Sequence, residues 1–452
     1  MLSKIQSDYI IWPSEEKLTT DQILEVVKNY WQGKEYKLCS MYDSYYESRN
    51  KDIVDRYKDR MYRGKTPNNL VPTAYYATII DSMAGYMFNN VNYESTDEQY
   101  MELLNTLLED NNVDVKDMQT GVRSLAYNKG IELVYTVGDG EKPAEIKFVS
   151  IDPKEAIVIW NNNIEPDVFC FIRVTGATNK EYDYNIDVIY SNEWQYYYMK
   201  DNSLSMREEP RTLYFQENPC IVYNSELLNI YSPFHRIISY IDALDFLITG
   251  NSNEIERIVD ALLVLGKSLK PEDMEHMDEW KVLMDMHTED RAEYITKDMT
   301  PSFREYVSKL LINEIHKHSH VIDWYSPDQG LTGTASAKAL QTRLFDMNMF
   351  SNRIEKIYKE GAYKRLRLIQ FLLNAKGIST SEPVKIIFNR TLPSDVEDKA
   401  QILSGVDFLS KQTKIELCGL SYSEESQRLE NEKPETIPIT PEIPADEDNE
   451  LG

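Results

Sequence analysis

SPFHRIISYIDALDFLITGNSNEIERIVDAL, residues 232–262, decides the fold. Phe234, Ile237, Ile241, Leu244, Ile248, Ile255, Ile258 and Leu262 keep close to a three-four spacing, which is one face of a helix. The pattern runs for roughly thirty residues, against a mean helix of about 11–12. Its middle, Gly250-Asn251-Ser252-Asn253, is polar and weakly helical, so a kink is expected there. Beyond it the chain becomes short and mixed: a strand-like Leu262 to Leu265, an acidic helix around 271–284, and Ala292 to Thr296. Thr300-Pro301 then restarts a helix, Thr as N-cap and Pro at the first helical position, running to about His320.

Upstream, the period is two. Leu133, Tyr135 and Val137 alternate, and Gly138-Asp139-Gly140 turns the chain into Ile146, Phe148 and Ile151. Further strand-like runs are 155–160, 168–175, 185–191, 194–199, 211–215 and 219–223. Their regular spacing predicts an antiparallel meander over 131–223. The first 130 residues read mostly helical. Thr20 or Asp21 is the expected cap of a helix carrying Ile23, Val26, Val27 and Tyr30. Helical patterns follow at about 34–49, from Pro72 through Met87, and at about 97–110 and 114–128, the last stopped by Gly130.

Downstream of His320 lies a loop, Asp323-Trp324-Tyr325-Ser326-Pro327-Asp328-Gln329-Gly330-Leu331-Thr332-Gly333. Its aromatics suit either buried anchors or a mobile loop. A helix of about forty residues follows, striped by Leu340, Leu344, Met347, Ile354, Ile357, Leu366, Ile369 and Leu373. Residues 335–376 hold nine basic and three acidic side chains. Its basic stripe at 353–367 reads as a solvated face or as a contact for an acidic neighbour, preferably another subunit. A strand, Val384 to Phe388, and two short helices, about 394–409 and 411–418, come next. Residues 421–452 carry ten acids, two bases and four prolines, a composition expected to stay disordered.

Charge narrows the function. With 49 basic and 75 acidic residues the net is −26, wrong for gripping phosphate backbones or anionic membranes. It does not exclude DNA that slides past without sticking. Four scattered cysteines with no CxxC pair give no zinc framework and fit a reduced cytoplasm. The first thirteen residues lack the apolar core of a secretory signal, and no run reaches the about 18–20 residues of a membrane span. There is no P-loop, GxGxxG, GxSxG or HExxH. His316, His318 and His320 crowd together, the first and last one helical turn apart. They read as solvated residues at a helix end, as a mildly cationic pH-sensitive patch, or as metal ligands, although no acid or cysteine completes a ligand set.

Taken in order, these pieces resemble the portal (head-to-tail connector) proteins of tailed double-stranded DNA phages, siphophage type. Pro67-Asn68-Asn69-Leu70-Val71, then Tyr76, Ile79, Ile80, Asp81 and Gly85-Tyr86-Met87-Phe88, is similar to the family's N-terminal signature. Asn218-Pro219-Cys220-Ile221-Val222-Tyr223, then Tyr231-Ser232-Pro233-Phe234, is similar to the approach to its long helix. Thr334-Ala335-Ser336-Ala337-Lys338-Ala339-Leu340 resembles the start of its longest helix, and Ile386-Ile387-Phe388-Asn389-Arg390-Thr391-Leu392-Pro393 its strand before the crown. Cys220 and Thr334-Ala335 depart from the usual signatures.

The resemblance implies an α+β, ring-forming phage portal fold: an α/β wing, a two-helix stem, a small α/β clip and a helical crown. The wing is 1–230 with the β-rich 131–223. The stem helices are 231–262 and 300–321, with the clip, 263–299, between them. The tunnel loop is 322–333, the second wing part (long helix and strand) 334–395, the crown 396–430 and the acidic tail 431–452. It implies a ring, usually of twelve, at the capsid vertex, through which DNA is packaged and ejected. The implied partners are further copies of itself, double-stranded DNA, the terminase large subunit, a head-completion adaptor, and scaffold and major capsid proteins. No membrane, metal or cofactor is implied, and no catalysis. The implied location is the virion, and the host cytoplasm during assembly. Asp323, Trp324, Tyr325, Asp328, Gln329 and Thr332 would meet DNA from the tunnel loop. Arg304, Lys309, His316, Lys317 and His320 would face the channel from the stem, and Glu272, Asp273, Glu275, Asp278 and Trp280 would bind partners at the clip. The alternatives are a plain helical scaffold for basic partners and an unrecognised hydrolase using paired carboxylates.

Overall fold

The computed structural model describes residues 9–58, 68–138, 145–213, 215–226, 230–259, 263–265, 282–284, 292–294, 301–324, 342, 344–375, 377–378, 382–390 and 410–417. In chain order its elements begin with β1 (Ile10–Trp12), α1 (Thr20–Gln32), α2 (Lys34–Tyr46), α3 (Lys51–Lys58), α4 (Tyr75–Phe88) and β2 (Val91–Glu94). Next are α5 (Glu98–Asp110), α6 (Val113–Tyr127), β3 (Gly130–Val137), β4 (Glu145–Ile151), β5 (Ala156–Asn161), β6 (Val168–Gly176), β7 (Tyr184–Ile189) and β8 (Glu193–Lys200). β9 (Ser203–Thr212), β10 (Cys220–Tyr223), α7 (Ile238–Val259), β11 (Leu263–Leu265), β12 (Val282–Met284) and β13 (Ala292–Tyr294) follow. The chain continues with α8 (Pro301–Ser319), α9 (Phe345–Ala375), β14 (Lys385–Phe388) and α10 (Lys411–Leu417). It divides into two compact units: Met1–Leu331 with Arg343–Thr391, and Thr332–Thr342 with Leu392–Gly452. Of the second unit's helices, α10 is described; Ser410 Oγ accepts the Thr413 amide at 3.1 Å and caps it.

The β-rich region is two sheets, where the sequence predicts one meander. β5 to β9 do run as an antiparallel meander. β1, which periodicity did not reveal in three residues, extends that sheet in parallel beside β5. β3 and β4 instead form a second sheet with β10 in the order β10-β3-β4. The run expected at 211–215 is the end of a longer strand, β9, which begins at Ser203. Ser203 to Thr212 is mostly exposed and charged, so alternation of apolar residues could not mark it. β14 appears where predicted, and its partner β2 is a four-residue strand too short to signal itself.

The larger sheet packs one face on α1. Ile23, Val26, Val27 and Tyr30 meet Ile157, Ile159, Ile172, Ile186 and Val188, all at most 3% exposed. Thr19 caps α1, one residue before the expected position: its Oγ1 takes the Gln22 amide at 3.4 Å and Gln22 Oε1 takes the Thr19 amide at 2.8 Å. α6 ends at Asn128, not Gly130. Asn128 holds φ +56, and its side-chain oxygen accepts the Ser225 and Glu226 amides at 2.7 and 2.6 Å.

The second core gathers α4, α6, β3, β10 and α9. α9 spans 31 residues, shorter than the predicted forty; the residues expected to lead it, 335–341, lie outside the described ones. Its basic stripe is divided: Lys356, Arg353 and Arg367 stay substantially exposed, while Lys364 and Arg365 are buried. Arg365, 1% exposed, clasps Glu132 of β3 with Nε–Oε1 at 2.7 Å and Nη2–Oε2 at 2.5 Å. Arg365 Nη1 reaches Asp117 of α6 at 2.6 Å and donates to the Tyr93 hydroxyl of β2 at 3.0 Å. Burial pushes the Asp117 carboxyl up while Arg365 pulls it back. Lys364 pairs with Asp167 at 3.0 Å, Arg367 with Glu217 at 3.2 Å, Lys359 with Glu355 at 2.7 Å, and Arg353 with Glu226. Gly361 lets α9 lie against β10: a Cβ there would sit 2.6 Å from the Tyr223 ring.

Two outcomes test this packing. R365M strands Glu132 and Asp117 as buried carboxylates, so chemical denaturation should show a loss of about 3–5 kcal/mol. G361A overfills the contact with a ring that is itself fully buried, and the same assay should show about 1–3 kcal/mol.

Candidate functional site

The long apolar stripe at 232–262 becomes a helix that starts later than predicted. A turn at Pro233-Phe234 and a 3₁₀ turn at His235–Ile237 precede α7. Proline fixes the φ of residue 233, and Ser232 Oγ takes the Phe234 amide at 3.1 Å, so the first residues close a turn. α7 stays helical through the polar Gly250–Asn253. Asn253 explains the tolerance: its side chain exchanges hydrogen bonds with Asn69, accepting the amide at 2.6 Å and donating to the carbonyl at 3.1 Å. Thr249 Oγ1 takes the Val71 amide at 3.1 Å and Asp245 Oδ1 the Thr73 amide at 2.8 Å. The polar patch that looked weakly helical is the seam for residues 69–73.

α7 and α8 pack along each other, and α8 also meets the 3₁₀ turn. Pro301 is the first residue of α8, as the sequence predicts. Thr300 lies outside the described residues. Between the two helices β12, β11 and β13 make a small sheet, β11 parallel to β12 and antiparallel to β13. Val282 to Met284, read as the end of an acidic helix, is therefore strand. Alternation cannot show in three apolar residues, and parallel pairing needs a partner distant in sequence.

The structure separates the five residues expected on the stem's channel face. Arg304 turns to α7, donating to Asn251 Oδ1 at 2.7 Å and pairing with Glu254. Lys309 and Lys317 stay about two-thirds exposed beside Glu305 at 2.9 Å and Glu314 at 3.3 Å. Phe303, Tyr306 and Leu310 are exposed on the same helix at i, i+3 and i+7 spacing. His316 is half-buried, its Nδ1 2.9 Å from the Val321 carbonyl and its Nε2 4.0 Å from Asp323. His320 leaves the helix at φ +60, so it does not share a helical face with His316. It stacks on Phe350 at 4.5 Å and bonds Asp346 at 2.8 Å, both on α9. His318 lies 3.0 Å from Glu314 and stacks on Tyr240 of α7. Among the described residues no His, Cys, Asp and Glu group is arranged to hold a metal.

Asp323 is buried and Trp324 39% exposed. Tyr325, Asp328, Gln329 and Thr332 lie outside the described residues, as do Glu272, Asp273, Glu275, Asp278 and Trp280. A pocket of about 550 Å³ beside the α8–α9 junction is lined by Asn313, His316, Lys317, His320, Asp346 and Met347. Asp346 and Phe350 were missed as partners of the histidines because 26 and 30 residues separate them from His320. No local pattern announces such a pairing.

At the other end of α7, His235 sits among Tyr42 and Tyr231. The Tyr42 hydroxyl accepts the Ser232 amide at 3.2 Å and shares a hydrogen bond with His235 Nδ1 at 3.0 Å. Burial holds His235 below its usual range.

A family model described as phage portal protein, SPP1 Gp6-like, matches residues 27–438. No curated protein matches. The fold is similar to a chain from the neck of an empty GTA particle computed with C6 symmetry, at 13% identity and TM-score 0.42, over 82% of this chain and 94% of that one. A chain from the neck of a native GTA particle computed with C12 symmetry gives 12%, 0.41, 77% and 90%. One from the virion of a native gene transfer agent particle gives 12%, 0.42, 76% and 89%.

The imidazole sets a pH dependence. With its folded value lowered, the unfolded chain takes up the proton first, so stability is full above about pH 6.5 and falls as pH drops through it. Thermal unfolding at pH 7.5 and 5.5 should show a drop for the parent that H235Q reduces.

Proposed function

The chain belongs to the SPP1 Gp6-like phage portal family, and on that premise we propose that it is one subunit of a ring-shaped portal at a capsid vertex, through which double-stranded DNA is packaged and ejected. The family match over most of the chain carries the proposal. In this reading α7 and α8 are the stem, 263–299 with its three-stranded sheet is the clip, and 322–333 is the tunnel loop. The wing is 1–230 with 334–395, the crown 396–430, and 431–452 the acidic tail. The clip, through Glu272, Asp273, Glu275, Asp278 and Trp280, docks the terminase large subunit and later the head-completion adaptor. Scaffold and major capsid proteins meet the wing. The ring sits in the virion after assembly in the host cytoplasm, and the reading includes no catalytic step.

Two physical features support it. Phe303, Tyr306 and Leu310 leave an apolar stripe on α8 that a neighbouring copy would cover. A net charge of −26 suits a conduit, because each phosphate contact adds salt-dependent affinity that would hold DNA in place. On the stem, Lys309 and Lys317 are the exposed cations of the proposed channel face. Arg304, His316 and His320 instead set its framework.

Light scattering with negative-stain imaging tests the ring. Twelve copies of the 52.8 kDa chain give about 634 kDa and annular particles with a central hole. A monomer or dimer at every concentration and salt would favour the plain scaffold. K309A/K317A should lower packaging without changing the mass of the ring, and unchanged packaging would remove those lysines from the channel.

A further inference from the structure

Gly250 lies inside α7, where a glycine weakens a helix. The fold itself gives no reason for it. Its φ is not left-handed, and a Cβ there would meet no atom within 4 Å among the described residues. Gly361 differs, since its missing Cβ admits the Tyr223 ring of the same chain. The exposed Ser239 and Ala243 share the Gly250 side of α7 at helical spacing, so the helix turns a shallow face outward there. α8 presents the converse. Phe303, Tyr306 and Leu310 are 64%, 63% and 44% exposed along one stripe. The exposed Lys309 and Lys317 beside it are each matched by a glutamate of the same helix, which leaves the stripe to offer apolar surface.

The two faces stand at one height. Arg304 of α8 meets Asn251 and Glu254 of α7, and His318 stacks on Tyr240, so the helices run antiparallel with Tyr306 level with Gly250. A rotation about an axis along the helix pair keeps each residue at its level. We propose that the Gly250 face of α7 receives the Phe303–Tyr306–Leu310 stripe of a neighbouring copy, the bulky side chains filling the space that Ser239, Ala243 and Gly250 leave bare. Each copy then offers one face to the copy on either side, which is a heterologous contact of the kind that closes a ring. The inference deepens the ring reading, and rests on it, by naming the two surfaces that meet.

Light scattering on two full-length variants tests the contact. F303S/Y306S/L310S removes the stripe, and A243R/G250R fills the shallow face. Each alone should stay at the mass of one chain, with its helix content unchanged by circular dichroism. Mixed one to one they should form a pair that grows no further, because each keeps the face the other has lost. Either variant assembling like the parent, or a mixture that stays at the mass of one chain, overturns the proposal. G250A should raise the melting temperature of the F303S/Y306S/L310S chain and lower the assembled fraction of the parent. An assembled fraction that G250A leaves unchanged also overturns it. If the parent forms open chains with no annular particles while the mixture still pairs, the ring reading fails and the contact stands.

Discussion

One guanidinium joins three parts of the chain that are far apart in sequence. Arg365 on α9 holds Glu132 of β3 and Asp117 of α6 and touches Tyr93 of β2, all inside the protein. Two buried carboxylates would be intolerable alone, and one buried arginine equally so. The cluster fixes the position of α9 because a shift of one residue would separate the charges. With Gly361 admitting the Tyr223 ring beside it, the helix has one seat.

From that seat the rest follows. α9 carries Asp346 and Phe350 at its first turns, and these receive His320 as the chain leaves α8. Both ends of the segment between α8 and α9 are thus anchored to the same core. At the far end of α7, Asn253, Thr249 and Asp245 stitch residues 69–73 to the helix, and Tyr42 holds His235. Polar contacts thus tie α7 and α8 to the surrounding core at both ends.

The distribution of charge serves the same end. A basic helix in an acidic chain looks like a docking surface for something else. Here Lys364 and Arg365 are buried against Asp167, Glu132 and Asp117, and Arg353, Lys359 and Arg367 pair with Glu226, Glu355 and Glu217. On α8 the exposed cations, Lys309 and Lys317, each sit beside a glutamate of the same helix.

Periodicity by itself determined α1, α2, α4, α5 and α6, the strands from 131 to 200, the α7–insert–α8 order and the start of α8 at Pro301, because each is written in apolar spacing or in one residue's backbone restriction; it did not find α3. Local pattern also found the order of segments that marks the portal family. It did not find β1, β2 or the sheet partner of β10, since three or four residues carry no period. It read Gly250–Asn253 as weakly helical and could not say which cations of α9 are buried. In each case the deciding partner, Asn69, Glu132 or Asp167, lies more than 180 residues away in the chain. Only the tertiary structure decided those, because whether a polar side chain is satisfied depends on what the fold places against it.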